Sequence, residues 1–562
     1  MIIGGQEAAA LYGSCMVSLR RPGLLLELDL TTPPLEVEPD DLIAKVRSRH
    51  RPRLRALLRA LHEAGTDSRV RAVIVKVGGA TLPWATMQEI RAGLGAFAAS
   101  GKPTVAWAES MGEGNGTVDY VLATGCTEIW LQPSGEVGLL GIAAETTFLR
   151  GALDKLGVEP QLDKRYEYKN AADQIMNTEF TAEHREAVDR VVESIWDTAV
   201  AAIAAGRRMS EARVRELADT APHPAAAARE AGLVDRIGYR DEVYADLRER
   251  LGTLEQLFAD QWKPRRTAAT LLRRHRGVVA LVEGHGEIIP GRSRGGPRGP
   301  ILGSDTVCTA LRAARRADRV RAVLFRVDSP GGSAVASDSI WREVMLTREA
   351  GKPVIVSMGA VAGSGGYYIA CPADAIVAQP ATITGSIGVL GGKVVISSLL
   401  ERLGLTTGAV ARGGSARMYS LREGFTDDER ARLGEILDRI YADFVAKVAQ
   451  GRGMTAPDVD AVARGRIWSG ADAVGKGLVD SLGGLRDAAA IARSKAGLRA
   501  DAPVRAAVHV PPIARLRRAR SSEDPRAASV AALLPWGDLT EIATALGLPA
   551  AGPLRMPAVR IV

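Results

Sequence analysis

The sequence predicts an α/β protein made of two tandem copies of one domain, each assembled from β-α-β units with helical extensions. Three observations carry this expectation. The chain repeats itself: RVRAVIVKV at 69–77 answers RVRAVLFRV at 319–327, and GKPTVAWAES at 101–110 answers GKPVIVSMGA at 351–360. Further on, WLQPSGEVGLLG (130–141) answers VAQPATITGSIGVLG, pairing Pro133 with Pro380 and Gly141 with Gly388. LDKLGV (153–158) then answers LERLGL (400–405), and AGLVDRIG (231–238) answers KGLVDSLG (476–483). A repeat this long is a domain rather than a solenoid unit. Next, short β-branched runs bounded by Gly or Pro alternate with amphipathic stretches, the pattern of parallel strands joined by right-handed helical crossovers. Last, 562 residues with 46% hydrophobic and 25% charged residues can bury several cores, which excludes disorder of the chain as a whole.

The elements follow in order. Residues 1–250 form the first copy, with buried strands at VRAVIVKV and KPTVAWA and an amphipathic helix over 182–206, whose apolar stripe is Val188, Val191, Val192 and Ile195. Residues 251–277, ending KPRRTAATLLRRHRG, read as a linker. Residues 278–496 form the second copy, with strands at VRAVLFRV and KPVIVSM. A helix follows at SDSIWREVMLTREA, for which Ser337 or Asp338 is a candidate cap, and another over 427–451. PGRSRGGPRGP at 290–300 reads as a flexible loop. From 497 to 562 the composition turns to Pro, Ala and Arg, has no counterpart in the first copy and reads as a loosely ordered tail.

The chain has few features of a membrane or secreted protein. Between Lys352 and Lys393 the only charge is Asp374, but the glycines and prolines there suit buried strands and turns better than a spanning helix. The N-terminus shows no signal peptide, since its first charge is Glu7 and no basic region precedes the apolar stretch. The four cysteines are scattered without CxxC spacing, so neither a disulfide framework nor a zinc site is expected, and a reducing, cytoplasmic setting is. A net charge of +8 is too small over this length to indicate nucleic acid. The arginine-rich run 515–520, followed by apolar SVAALLPW (529–536), allows peripheral contact with an anionic membrane surface.

The two copies differ where chemistry is expected. The second holds RVDSPGGS (326–333), GAVAGSGGYYIA (359–370) and ATITGSIGV (381–389); the first has KVGGATLP, MGEGNGTVDY and GEVGLLG in their place. Ser364 stands among glycines, and the first copy has no serine there. Conversely, RYEYKNAAD (165–173) carries Lys169, whereas ARGGSARMYS (411–420) has no lysine. One copy offers a nucleophile and the other a base. A serine hydroxyl needs a positioned base, and glycines beside it free N–H groups for an oxyanion. Gly365 supplies one such group, and Gly331 or Gly332 another. The G-x-S-x-G elbow is not matched, because residue 362 is alanine. None of the seven histidines lies near these motifs, and lysine is the known alternative base. Taken alone, G-S-G-G is a turn before a helix, Lys169 a solvated surface lysine and Asp328 a turn-fixing residue.

Together these motifs reach a family. With SPGGS (329–333), SGGYY (364–368), TGSIGV (384–389) and YKNA (168–171) in order and in the right copies, residues 25–495 resemble the long, duplicated signal peptide peptidase A, a serine protease of the Clp/crotonase superfold. The resemblance implies two tandem Clp/crotonase-like domains, with Ser364 as nucleophile and Lys169 as general base. It further implies Ser386 as the residue that hydrogen-bonds the lysine, and Gly331, Gly332 and Gly365 as the oxyanion region. No metal or cofactor is implied. The substrates would be signal peptide remnants and other unfolded chains, and the assembly a homotetramer. Gly363 stands where the family more often has alanine, and Glu167, on the face of Lys169 if the segment is extended, would favour the charged amine. Two other functions remain: a crotonase-like acyl-CoA hydratase or isomerase, which needs an oxyanion hole without a nucleophile, and a non-catalytic scaffold. Retention of both Ser364 and Lys169 argues against the scaffold.

Overall fold

The computed structural model describes residues 22–37, 46, 48–79, 82–112, 116–265, 277–296, 299–508, 554–556 and 560–561. The N-terminal stretch read for a signal peptide, the basic run 515–520 and the apolar run 529–536 lie outside them.

Each copy is built on a mainly parallel sheet, and the two sheets share one strand order. In the first copy the order runs Leu254–Phe258, Gly23–Asp29, Val70–Lys76, Thr104–Ala108, Glu128–Leu131, Arg236–Ile237, all parallel. In the second it runs Val504–Ala506, Val278–His285, Val320–Ser329, Val354–Gly363, Ala375–Ala378, Ser481–Leu482. Ile383–Gly385 also pairs with Val354–Gly363 and, antiparallel, with Ile467–Ser469. The duplication and the α/β class are therefore as the sequence predicts. Strands such as Val320–Ser329 are buried on both faces, which is why they read as continuous apolar runs.

Two boundaries move. Leu254–Phe258, inside the expected linker, is the edge strand of the first sheet. Val504–Ala506, inside the expected tail, is its counterpart in the second. In each copy the last helix, Arg240–Leu251 or Leu485–Lys495, leads into a strand that returns to the sheet edge. Parts of the tail are thus integral: Leu554–Arg555 and Arg560–Ile561 pair with other strands as well. The run 290–300 is not simply a loop either, since Arg294–Gly296 and Gly299–Gly303 pair antiparallel. The stretch between Lys352 and Lys393 is strands, turns and the short helix Gly365–Ala370. No helix of the described residues is long and apolar enough to cross a membrane.

The long helices are Ala182–Arg207 and Asp427–Arg452. Thr181 and Thr426, equivalent in the repeat, cap them by accepting from His184 N at 3.1 Å and Glu429 N at 3.2 Å. The helix Ala334–Glu349 is capped by Ser333, whose hydroxyl accepts from Ala336 N at 3.3 Å, not by Ser337 or Asp338.

The copies are joined by an arm of the first copy laid on the second. Glu159–Lys164 of the first pairs antiparallel with Leu390–Val395 of the second over six residues. Leu153, Val158, Leu162, Ala172 and Ile175 form a small apolar cluster with Val394 and Leu399 beneath it. Burying such side chains is worth about 1.5–3 kcal/mol each, enough to hold the segment that follows, which carries Lys169, against the other copy.

Candidate active site

Ser364 sits at a strand-to-helix elbow, between Val354–Gly363 and Gly365–Ala370. Its backbone has φ 55° and ψ −117°, a conformation costly for a residue with a Cβ. Backbone bonds hold it there: Ser364 N donates to Gly385 O at 2.8 Å, and Tyr368 N to Ser364 O at 2.9 Å. The glycines around it allow close packing. A Cβ on Gly365 would lie 3.1 Å from Gly331 Cα and 3.2 Å from Gly332 N. The Ser-Pro-Gly-Gly turn therefore lies directly against the residue after Ser364. Within the turn, Gly331 N donates to Ser329 Oγ at 3.2 Å.

Lys169 comes from the other copy, a few residues beyond the arm. Its Nζ lies within hydrogen-bond distance of Ser364 Oγ at 2.8 Å, Ser386 Oγ at 3.0 Å and Ser386 O at 3.0 Å. Lys169, Ser364 and Ser386 are all 0% exposed. Burial alone drives the Lys169 amine well below its ordinary pKa, because a charged ammonium loses its hydration there. The three residues singled out in sequence thus meet within one chain. Glu167 does not reach the amine: the chain turns at Tyr166 (φ 66°) instead of running extended, and Glu167 Oε1 pairs with Arg464 Nη1 at 3.3 Å.

The placement of Lys169 also depends on a residue that nothing in the sequence singles out. Gly465 has φ +88°, and a Cβ there would lie 2.5 Å from both Lys169 N and Cα. Gly465→Ala is expected to lose about 1–3 kcal/mol of stability in urea unfolding, from backbone strain together with displacement of Lys169. Gly408→Ala, which meets nothing within 4 Å, is the control and stays within about 0.5 kcal/mol of the parent.

In the first copy the same place is filled differently. Tyr120 OH bonds Leu233 O at 2.9 Å as Tyr367 OH bonds Leu478 O at 2.9 Å, so Thr117 stands where the second copy has Ser364. Its hydroxyl donates to Gly141 O at 3.0 Å. Asp119, aligned with Gly366, accepts the N–H groups of Gly78 and Gly79, and burial pushes its carboxyl up to about 6. A side-chain carboxyl engages the backbone donors of the glycine turn there.

Asp328 lies elsewhere. Its Oδ1 accepts from Val361 N at 2.9 Å, and burial, with Glu36 adding to it, pushes the carboxyl up to about 7. It belongs to a polar cluster between the copies, in which Arg326 Nη2 meets Glu89 at 3.0 Å and Glu36 at 3.1 Å. Glu36, His285 and Asp328 bring potential ligand atoms within 4.8 Å of one another. The guanidinium already supplies the positive charge, which opposes a cation at that point.

A buried amine against the hydroxyl of a strained strand-to-helix elbow, across two α/β copies, is an arrangement able to activate a serine. The sequence pattern of Peptidase family S49 matches residues 96–254 and 347–499, once in each copy. The chain belongs to peptidase family S49, a serine peptidase family, as the motifs indicated. It is 32% identical over 442 residues to "Serine protease SPPA, chloroplastic" of Arabidopsis thaliana, covering 78% of this chain and 64% of that protein. It is 31% identical over 460 residues to "Protease 4" of Salmonella typhi, covering 79% and 72%. With "Protease 4" of Haemophilus influenzae it shares 29% over 527 residues, covering 89% and 82%. The chain thus spans just under two thirds of the first relative's length and more of the other two.

Proposed function

We propose that this chain is a serine endopeptidase in which Ser364 is the nucleophile and Lys169 the general base, acting on signal peptide remnants and other unfolded or apolar chains. The observation that carries the reading is the 2.8 Å contact between Lys169 Nζ and Ser364 Oγ in a fully buried site. A neutral amine has two N–H donors and one lone pair. Ser386 Oγ and Ser386 O accept the two donors, which leaves the lone pair for the Ser364 proton. The freed Oγ attacks the substrate carbonyl, whose developing charge meets the N–H groups of Gly365 and of Gly331 or Gly332. Lys169 returns the proton to the departing amine, and then activates the water that hydrolyses the acyl-enzyme. The cycle calls for neither metal nor cofactor.

A fluorophosphonate probe tests this reading against the hydratase alternative. It is expected to label the wild type at Ser364 and to leave Ser364→Ala unlabelled, in parallel with loss of casein digestion. An unlabelled wild type that hydrates an enoyl-CoA would overturn it.

We further propose a closed homotetramer. The dyad is complete within one chain, so a ring is not needed to assemble it; the support is an unpaired arm. Glu159–Lys164 of the first copy is paired with Leu390–Val395, but its counterpart in the second copy, about 406–411, is in no strand and is exposed throughout. Nearby Leu403 is 63% exposed and Val410 91%. Head-to-tail pairing of this arm with residues 143–148 of the next chain, on the edge opposite Arg560–Ile561 or in their place, would repeat the internal contact and close a ring. Val410→Asp is expected to shift the sedimenting species from tetramer to monomer, and a monomeric wild type would sink the idea. From the scattered thiols we place the protein in the cytoplasm, with peripheral membrane contact through its basic tail.

A further inference from the structure

The chain's own C-terminal segment pairs with the glycine turn that packs against the residue after Ser364. Leu554 and Arg555 pair antiparallel with Gly332 and Gly331, and Met556 N donates to Pro330 O at 2.8 Å. Met556 is 4% exposed and belongs to the same apolar cluster as Ala381, Ile383 and Ile467. A Cβ on Gly363, the residue before the nucleophile, would lie 2.3 Å from the Met556 sulfur. An alanine at 363 would force this side chain to shift. Further along, Ile561 and Arg560 pair antiparallel with Ala144 and Glu145 of the first copy. The segment therefore pairs with both copies, beginning on the glycines of the oxyanion turn.

Adding an extended strand to an exposed backbone edge, with one side chain set in a pocket, is how extended peptides are recognised. We propose that residues 554–556 stand in the place of substrate as an inhibitory strand, and that Met556 marks an apolar subsite beside Gly363 that selects an unbranched apolar side chain. This rests on the peptidase reading for its consequence, but not for the binding event. Pairing to Gly331 and Gly332 uses backbone alone, so the strand competes for donors and acceptors that any peptide would use. Selectivity then comes from the pocket, where a charged side chain would be desolvated without a partner. The sequence places Pro557 directly after Met556. A proline has no N–H to donate to a neighbouring strand.

Two variants test the strand: a chain ending at Pro553, and full-length Met556→Asp. A strand seated nine-tenths of the time raises the apparent substrate dissociation constant about tenfold. Both variants are therefore expected to lower KM for an apolar peptide about tenfold, with kcat little changed, and to speed fluorophosphonate labelling of Ser364. The synthetic peptide LRMPAVRIV is expected to inhibit the truncated enzyme competitively, and the same peptide with Asp in place of Met to do so far more weakly. Unchanged KM and labelling rate in both variants would overturn the inhibitory strand while leaving the peptidase intact. Binding is read separately, by fluorescence anisotropy of the labelled peptide with truncated Ser364→Ala. Saturable binding lost with the Asp peptide supports the subsite even if the chain hydrolyses nothing, and absence of binding overturns it even if the chain is an active peptidase.

Discussion

Ser364→Ala and Lys169→Ala are each expected to lower kcat on a casein-derived peptide by a factor of about 10⁴ or more, with the double variant little worse than either. The near-equality follows from the geometry. Lys169 Nζ has one reacting partner, Ser364 Oγ at 2.8 Å, and neither group has a second route to its task. Among the described residues, no cause other than burial shifts the lysine, so no neighbouring charge stands in for it. Lys169→Arg is expected to fail as completely. Guanidinium stays protonated at any workable pH, and a longer, planar head has little space where a Cβ on Gly388 would already lie 3.2 Å from Lys169 Cδ. Ser386→Ala removes one of the two acceptors that orient the amine and leaves the carbonyl at 3.0 Å. Its expected loss is smaller, about 10–10²-fold. Steady-state kinetics with fluorophosphonate titration of active sites separates these effects from misfolding. An arginine variant with substantial turnover would move the base to another residue.

These residues were legible because the chain carries its own comparison. Where two copies of one fold differ, packing is held roughly constant, so the gain of Ser364 in one and of Lys169 in the other stands out. Ser386 followed only from the resemblance. What stayed hidden has a common physical character. The edge strands Leu254–Phe258 and Val504–Ala506 are largely exposed, so no apolar alternation announces them, and their pairing partners lie far away in sequence. The Arg326 cluster joins residues from both copies whose charges, in the sequence, look like ordinary surface ones. Thr117 carries no mark in the sequence, because its register against Ser364 is set by the matching bonds of Tyr120 and Tyr367. Gly465 showed nothing in sequence, since its role is the space it leaves for a lysine some 300 positions earlier. Glu167 departs from the expected face because the backbone turns at Tyr166.

The pH dependence is the sharpest test of a neutral lysine. An ordinary lysine, with a pKa near 10.4, is protonated at neutral pH and cannot take the Ser364 proton. Burial lowers the Lys169 value well below that. Below the depressed value the protonated amine is inactive, so kcat/KM should rise about tenfold per pH unit, then level off once the free-enzyme lysine has lost its proton. The same shift affects stability with a definite sign. Between the depressed folded value and the ordinary unfolded one, the unfolded chain binds a proton that the folded chain does not. Unfolding free energy therefore increases with pH across that window, by up to about 1.4 kcal/mol per unit, and is independent of this group below the folded value and above the unfolded one. Other groups titrate too, so the quantity to follow is the stability of wild type minus that of Lys169→Met, measured by urea unfolding at a series of pH values. The difference is expected to grow in favour of the wild type as pH rises, with its lower bend at the pH where kcat/KM levels off. A difference that stays flat up to pH 10 would mean that Lys169 remains charged in the folded protein. An ammonium has no lone pair to offer Ser364, and the base would then have to be sought elsewhere.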